Sequence, residues 1–171
     1  VINIYRGTNG LIHNLWRESQ VLIENMARKT PMRIGSPTEW AIESRGDIPA
    51  VTLPSGLLMH YTDLRAAMTK EGVEYTYKTR NSRTKIYGGK FVENVCQAVA
   101  RCIIAEQMLK IASKYKVVLT VHDSIVVCVH YNDVDIACEY VEDCMREVPV
   151  WAEKLPLDCE SGVGKSYGEC E

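Results

Sequence analysis

The sequence predicts an α+β fold in which an antiparallel sheet carries helices on one face. Residues 91–113 repeat apolar side chains at helical spacing. Residues 116–130 then form two apolar runs around a short polar interruption, as expected of a β-hairpin. An amphipathic helix follows at 133–147, and a last strand is expected at 155–159. The order helix, strand, strand, helix, strand is typical of an α+β layer.

The first part of the chain predicts helices that are followed by short strands. Residues 1–29 carry helical patterns that a glycine-containing segment interrupts. Apolar runs at 49–53 and 57–61 flank Pro54-Ser55-Gly56, which predicts a hairpin. Residues 73–79 alternate apolar and polar side chains, and this alternation predicts a strand.

Length and charge limit the possible functions. The chain has 171 residues, of which 46% are hydrophobic, so it can form one domain or two small subdomains. Its net charge of −2 indicates that any nucleic-acid contact must come from a local surface. The apolar runs are far shorter than the roughly 20 residues that span a bilayer. We therefore expect no membrane partner and no signal peptide.

The cysteines and the first residue indicate the setting of the chain. Seven cysteines without a CxxC pair predict reduced, mostly buried thiols in a cytosolic protein rather than a zinc site. The chain starts with Val1 inside an amphipathic pattern, so we expect it to be a piece of a larger protein.

Residues 78–90 form a local basic segment, to which Tyr87 and two glycines also belong. Its five basic residues are Lys78, Arg80, Arg83, Lys85 and Lys90. Two interpretations stay open: a solvated loop, or a segment that follows a phosphate backbone and contacts it through main-chain N–H groups.

The helix that follows carries a polar stripe. Glu93, Gln97 and Arg101 lie at intervals of four residues and therefore share one face. Such a stripe is usually the solvated side of a helix. Its position directly after the basic segment favours an orientation toward a ligand.

Asp123 is the candidate catalytic residue of the hairpin at 116–130. Aspartate is a common turn residue, so a purely conformational role is one interpretation. His122 stands where a tight turn would prefer Asn or Gly, and the flanking strands are predicted to be fully buried, which would hold the tip rigidly. Mg²⁺ takes one or two carboxylates together with phosphates and water. Asp123 would therefore need a second acidic residue from elsewhere.

Three segments together resemble a known family. With "YGGKFVENVCQAVAR", "VVLTVHDSIVV" and "LPLDCESGVGKSYG" in this order, the chain resembles the C-terminal part of family A DNA polymerases, the DNA polymerase I-like group, in its bacteriophage form. The resemblance implies that "VHD" is motif C of a palm-type sheet. It also implies that residues 1–87 are the end of the fingers with a β-hairpin insertion, and that 88–171 are the C-terminal half of the palm.

The resemblance implies a role for each site residue. Asp123 would be one of two aspartates that hold two catalytic Mg²⁺ ions, and His122 would lie near the primer terminus. Gln97 would contact the minor groove, while Arg101 and Lys90 would contact the DNA backbone. The full set of DNA-binding candidates is Gln97, Arg101, Lys90, Tyr87 and Arg83. The reaction would be two-metal nucleotidyl transfer from dNTPs to primer–template DNA, in the cytoplasm of a bacterial or phage-infected host.

The chain also departs from the family pattern. Ser124 stands where the family usually has Glu, Cys102 where it has Asp, and Leu57 where it has Arg. The other metal-binding aspartate and the triphosphate-binding fingers helix would precede residue 1. We therefore expect a fragment or split subunit that is inactive without the missing N-terminal polymerase portion. The alternative is a non-catalytic DNA-binding or assembly module that retains the palm fold.

Overall fold

The computed structural model describes residue 5, residues 7–35 and residues 41–170. Within these residues it contains three α-helices and three small antiparallel sheets, which confirms the mixed α+β class. The described strands form separate sheets of four, three and two strands, and the palm-type arrangement with helices on one face stays a prediction. The chain divides into two compact units, Val1–Val99 and Ala100–Glu171. The subdomain boundary at residues 87 and 88 stays a prediction.

Helix α1, Gly10–Ala27, confirms the helical pattern in that part of residues 1–29, while residues 1–4 and 6 lie outside the described residues. Only the C-terminal half of its apolar stripe is buried. Leu22, Ile23 and Met26 are inaccessible to solvent, whereas Leu11 is 87% exposed.

The first sheet has four strands in sequential order, and it confirms the hairpin predicted around Pro54-Ser55-Gly56. Val51 pairs with Met59 across that hairpin, and Gly56 takes a φ of +83° that favours glycine. The strands are β1 Met32–Gly35, β2 Ala41–Ser44, β3 Ala50–Thr52 and β4 Leu58–His60.

The second sheet consists of β5 Arg65–Thr69, β6 Gly72–Lys78 and β7 Arg83–Ile86. Strand β6 confirms the strand predicted at 73–79. Strand β7 lies inside the basic segment, so this part of the segment is not a loop. Ile86 is buried and pairs with the buried Tyr75, and this contact holds β7 on the sheet.

Helix α2, Gly88–Ala112, confirms the helix predicted at 91–113 and begins three residues earlier. Its first residue packs directly against α1. The Gly88 N–H donates to Gln20 Oε1 over 3.0 Å, and a Cβ at Gly88 would lie 1.9 Å from the Trp16 carbonyl oxygen. No helix among the described residues is long and apolar enough to cross a membrane.

The third sheet is the predicted hairpin, formed by β8 Lys116–Val121 and β9 Ser124–Cys128. No residue of either strand is buried, so the prediction of fully buried strands is wrong. The sheet has two strands, and a two-stranded hairpin keeps much of its surface in solvent.

Helix α3, Val134–Arg146, confirms the amphipathic helix at 133–147, but the strand predicted at 155–159 is absent. Residues 155–159 pair with no strand among the described residues, and the side chain of Arg146 in α3 binds them instead. Arg146 Nε donates to Asp158 Oδ1 over 3.0 Å, and its Nη2 donates to the Cys159 carbonyl over 3.3 Å. Single 3-10 turns lie at Tyr131–Asp133, Val150–Ala152 and Tyr167–Glu169.

All seven cysteines lie among the described residues, and none of them forms a disulfide. The apolar patterns of the sequence predict burial for Cys96, Cys102, Cys128 and Cys138. Of these four, Cys102 is buried, Cys138 is partly buried, and Cys96 and Cys128 are exposed. Cys96 lies on the solvent side of α2, and Cys128 ends the exposed strand β9. The burial predicted for these two thiols is therefore wrong.

Candidate active site

The hairpin turn consists of His122 and Asp123, because Val121 pairs directly with Ser124. His122 has a φ of +53°, in the left-handed region that glycine prefers. Histidine is among the residues that are enriched there, but the conformation still costs on the order of 1 kcal/mol. The strand pairing on both sides holds the turn in this strained form.

Asp123 projects from the tip without a structural partner. It is exposed, and its carboxylate makes no hydrogen bond or ion pair with any described residue. An aspartate that shapes a turn normally accepts a hydrogen bond from a nearby main-chain N–H. Asp123 makes no such bond here, so a purely conformational role has little physical support.

Strand β8 carries a bulge just before the turn. The pairing passes from Val117 with Val127 to Leu119 with Val126, so Val118 is the extra residue. A bulge bends its strand and increases the local twist, and bulges are frequent beside active sites. The bulge therefore sets the direction in which the hairpin tip points.

The N-terminal half of α2 presents a hydrogen-bonded polar cluster. Lys90 Nζ lies 2.7 Å from Glu93 Oε1, and Gln97 Nε2 donates to the same oxygen over 3.4 Å. The hydrogen bond to Glu93 raises the pKa of Lys90. One amide N–H and the Oε1 of Gln97 stay available to a ligand. Tyr87, just before the helix, is 59% exposed.

Arg101 lies one helical turn beyond Gln97 and is exposed. Its guanidinium has no hydrogen-bonding or ionic partner among the residues that the structure describes. A free guanidinium on a helix surface can bind a phosphate through two parallel hydrogen bonds.

Arg83 has a different environment, because its guanidinium is already bound within the protein. Its Nη1 donates to Asp63 Oδ2 and its Nη2 to the Asp63 carbonyl, each over 2.7 Å. Further hydrogen bonds reach the Thr76 hydroxyl and carbonyl at 3.2 and 3.0 Å. Hydrogen bonds from Arg65 and then Arg83 lower the pKa of Asp63. Arg83, on β7, therefore connects the residues just before β5 to strand β6. Its role in DNA binding stays a prediction.

The predicted site residues fall into the two units. Arg83, Tyr87, Lys90 and Gln97 belong to the first unit, and Arg101, His122 and Asp123 belong to the second. Within the first unit the structure brings Lys90 and Gln97 together through Glu93. Sequence reasoning missed this role of Glu93, although its spacing of three and four residues to these partners is a usable signal. It also missed Asp63, whose distance of twenty residues from Arg83 gave no local signal.

The described residues contain no group of three or more His, Cys, Asp or Glu side chains arranged to hold a metal ion. The unengaged carboxylate of Asp123 fits one ligand position for a hard cation such as Mg²⁺. The other positions would require oxygen ligands beyond those that the hairpin tip supplies.

These features define an α+β segment with a hairpin that exposes one unpaired carboxylate and a helix that has a polar face. Over 176 aligned positions the chain is 30% identical to a DNA polymerase of Bacillus phage SP02, and the alignment covers 98% of this chain and 26% of that protein. The chain is thus homologous to part of a phage DNA polymerase and spans about a quarter of its length. No family model matches the chain, and no solved structure is significantly similar to it.

Proposed function

We propose that the chain is the C-terminal portion of a family A DNA polymerase and that Asp123 supplies one carboxylate of its catalytic metal site. The single observation that carries the proposal is the strained hairpin turn that exposes a carboxylate free of structural partners. The homology to part of a phage DNA polymerase supports the same assignment.

The proposed substrates are primer–template DNA and dNTPs. The primer 3′-hydroxyl would lose its proton to water and attack the α-phosphorus of the dNTP. A new P–O bond would form while the bond from the α-phosphorus to the α–β bridging oxygen breaks, and pyrophosphate would leave with that oxygen. Two Mg²⁺ ions, when bound, would activate the hydroxyl and stabilise the charge on the leaving group. Asp123 would hold its carboxylate at a fixed point because paired strands constrain the turn. His122, next to it, would lie beside the primer terminus.

The polar face of α2 would bind the DNA product. The free amide N–H of Gln97 can donate to the acceptors that every base pair presents in the minor groove, so this contact would not depend on sequence. The unpaired guanidinium of Arg101 suits a phosphate of the backbone. Lys90 and Tyr87 would extend this contact toward the start of the helix.

A second candidate function is a non-catalytic DNA-binding or assembly module with the same fold. Ser124 favours it, because a hydroxyl here replaces the acid that the resembled family usually carries after "VHD". On this alternative the complete protein binds duplex DNA but extends no primer.

The test is Asp123→Asn in the complete polymerase that includes this chain, assayed by primer extension and by duplex binding. Loss of a direct metal ligand should lower turnover by more than the roughly 100-fold that loss of an outer-shell partner costs. The dissociation constant for duplex DNA should stay near the wild-type value. Turnover near wild type would show that Asp123 is only a turn residue.

Asp133→Asn is the matched control. Asp133 is an exposed aspartate shortly after the same hairpin, and its side chain does not cap the following helix. It should leave both turnover and binding unchanged. If the complete wild-type polymerase, with Asp123 and Asp133 both unchanged, binds DNA but extends no primer, the non-catalytic alternative is favoured.

A further inference from the structure

The sheet formed by β5, β6 and β7 has a charge opposite to that of the whole chain. Residues 63–86 contain six basic and three acidic residues, whereas the chain as a whole has a net charge of −2. The rest of the chain is therefore acidic. A local positive surface on an acidic protein is the expected electrostatic signature of a polyanion contact.

The strand register places the basic side chains on one face. Residues that pair directly across two strands point to the same side of a sheet, and side chains alternate along each strand. Thr76 pairs with both Arg65 and Lys85, and Lys78 pairs with Arg83. The four basic residues of these pairs therefore share the face opposite to the buried pair of Tyr75 and Ile86. We call this face, defined by Arg65, Lys78, Arg83 and Lys85, the basic sheet face.

A strained aspartate holds two of these cations in place. Asp63 has a φ of +52°, and its carboxylate accepts from Arg65 Nε over 2.8 Å and from Arg83 Nη1 over 2.7 Å. One anion thus holds two guanidinium groups side by side, and the arrangement keeps a net positive charge. Such fixed geometry lowers the entropy cost when an anionic ligand binds.

The remaining two cations of the basic sheet face are Lys78 and Lys85. Lys85 pairs with Glu74, while Lys78 has no ionic partner among the described residues and is exposed. The acidic residues at this face, Asp63 and Glu74, therefore neutralise only part of its charge. A solvated face that served only stability would gain more from balanced pairs of opposite charge.

We propose that the basic sheet face binds the phosphate backbone of duplex DNA, as a contact additional to Gln97 and Arg101 on α2. The choice of DNA as the anion rests on the proposed function. Lysine and arginine side chains on an open sheet face contact phosphates without reading base edges. Binding through this face is consequently independent of sequence and strongly dependent on salt.

The test measures the affinity of the full chain for two duplexes of unrelated sequence over a series of salt concentrations. The double substitution Lys78→Ala with Lys85→Ala removes two phosphate contacts. It should reduce the slope of log K against log salt by about 0.9 for each contact, or about 2 in total. The loss should be the same for both duplexes, and Lys78→Arg with Lys85→Arg should restore the wild-type slope.

Arg33→Ala is the matched control. Arg33 is a strand arginine of the first sheet that pairs with Glu43 across 2.9 Å, outside the basic sheet face. It should leave the slope unchanged. Circular dichroism of each variant checks that the sheet is intact.

Three results would overturn the inference: a wild-type chain that binds no duplex DNA, a double variant with the wild-type slope, or a chain that binds single-stranded RNA but not duplex DNA. An unchanged slope would leave the assignment of Asp123 standing, because that assignment depends on turnover. Conversely, a fully active Asp123→Asn enzyme would refute the metal-site proposal without affecting binding through the basic sheet face.

Discussion

Gly88 is the residue at which α2 approaches the backbone of α1. A Cβ there would lie 1.9 Å from the Trp16 carbonyl oxygen, whereas a Cβ at Gly89 would lie 3.5 Å from its nearest neighbour, the Tyr87 ring. Gly88→Ala should therefore lower the free energy of unfolding by about 1–3 kcal/mol or more. Gly89→Ala is the control and should be neutral or slightly stabilising. Urea denaturation measures both, and equal stability of the two variants would contradict this packing.

Asp63 makes the stability of the first unit dependent on pH. Its pKa lies below the ordinary 3.8 because Arg65 and then Arg83 bond to the carboxylate. A lowered folded pKa means that the stabilisation is present above the unfolded pKa and is lost as pH falls through the folded value. Asp63→Asn, which also tolerates positive φ, should therefore destabilise the chain at neutral pH but not in acid.

The measurement is the urea midpoint of wild type and Asp63→Asn from about pH 7 to about pH 2. The midpoints of wild type and Asp63→Asn should differ at neutral pH and become equal in acid. Asp133→Asn removes an exposed carboxylate outside any ion pair of the described residues, so its midpoint should follow that of wild type over the whole range. A gap between wild type and Asp63→Asn that stays constant over this range would contradict the role of the ion pairs.

At the scale of elements, Gln107 joins α2 to the end of α3. It is 3% exposed, and its Nε2 donates to the Met145 carbonyl over 2.6 Å. Gln107→Ala removes this bond and leaves a cavity, but it also removes the buried Oε1, which has no hydrogen-bond partner among the described residues. The net cost should therefore be about 1–2 kcal/mol of unfolding free energy. Gln97→Ala, at an exposed position of the same helix, should change stability by less than about 0.5 kcal/mol. Equal thermal shifts for both variants would contradict the proposed packing.

Elements with a local signal were predictable from the sequence. The helix pattern of α2 and the two-residue turn at His122-Asp123 follow from spacing alone. The burial of β8 and β9 could not be predicted, because apolar strands are buried only where another layer covers them. The strand predicted at 155–159 is absent because no described strand pairs with that segment, and periodicity along one segment does not reveal whether a pairing partner exists.

The sequence was sufficient to predict which residues form the candidate site but not which residues they contact. The polar interruption of the hairpin located Asp123, and the resemblance supplied the roles of Gln97 and Arg101. The ion pair between Asp63 and Arg83 joins residues that are twenty positions apart in the sequence, so only the folded sheet shows it. One interpretation of the sequence has the main-chain N–H groups of the basic segment, which includes Gly88, contact phosphate. In the structure the Gly88 N–H donates to Gln20 instead.

At the scale of the whole molecule, the chain matches about a quarter of a phage DNA polymerase. On the proposed function, the hairpin would supply one carboxylate, and catalysis by two metal ions would need more ligands than this tip offers. We therefore propose that the chain is one part of a catalytic assembly and that the rest of the polymerase supplies the remaining ligands and the dNTP-binding residues.

The most direct test of this central claim is primer extension with Mg²⁺ and dNTPs, by the chain alone and by the chain combined with the rest of the polymerase. We predict no extension by the chain alone and extension by the combination. We also predict that Asp123→Asn abolishes this extension while Asp133→Asn does not. Robust primer extension by the chain alone would contradict the account.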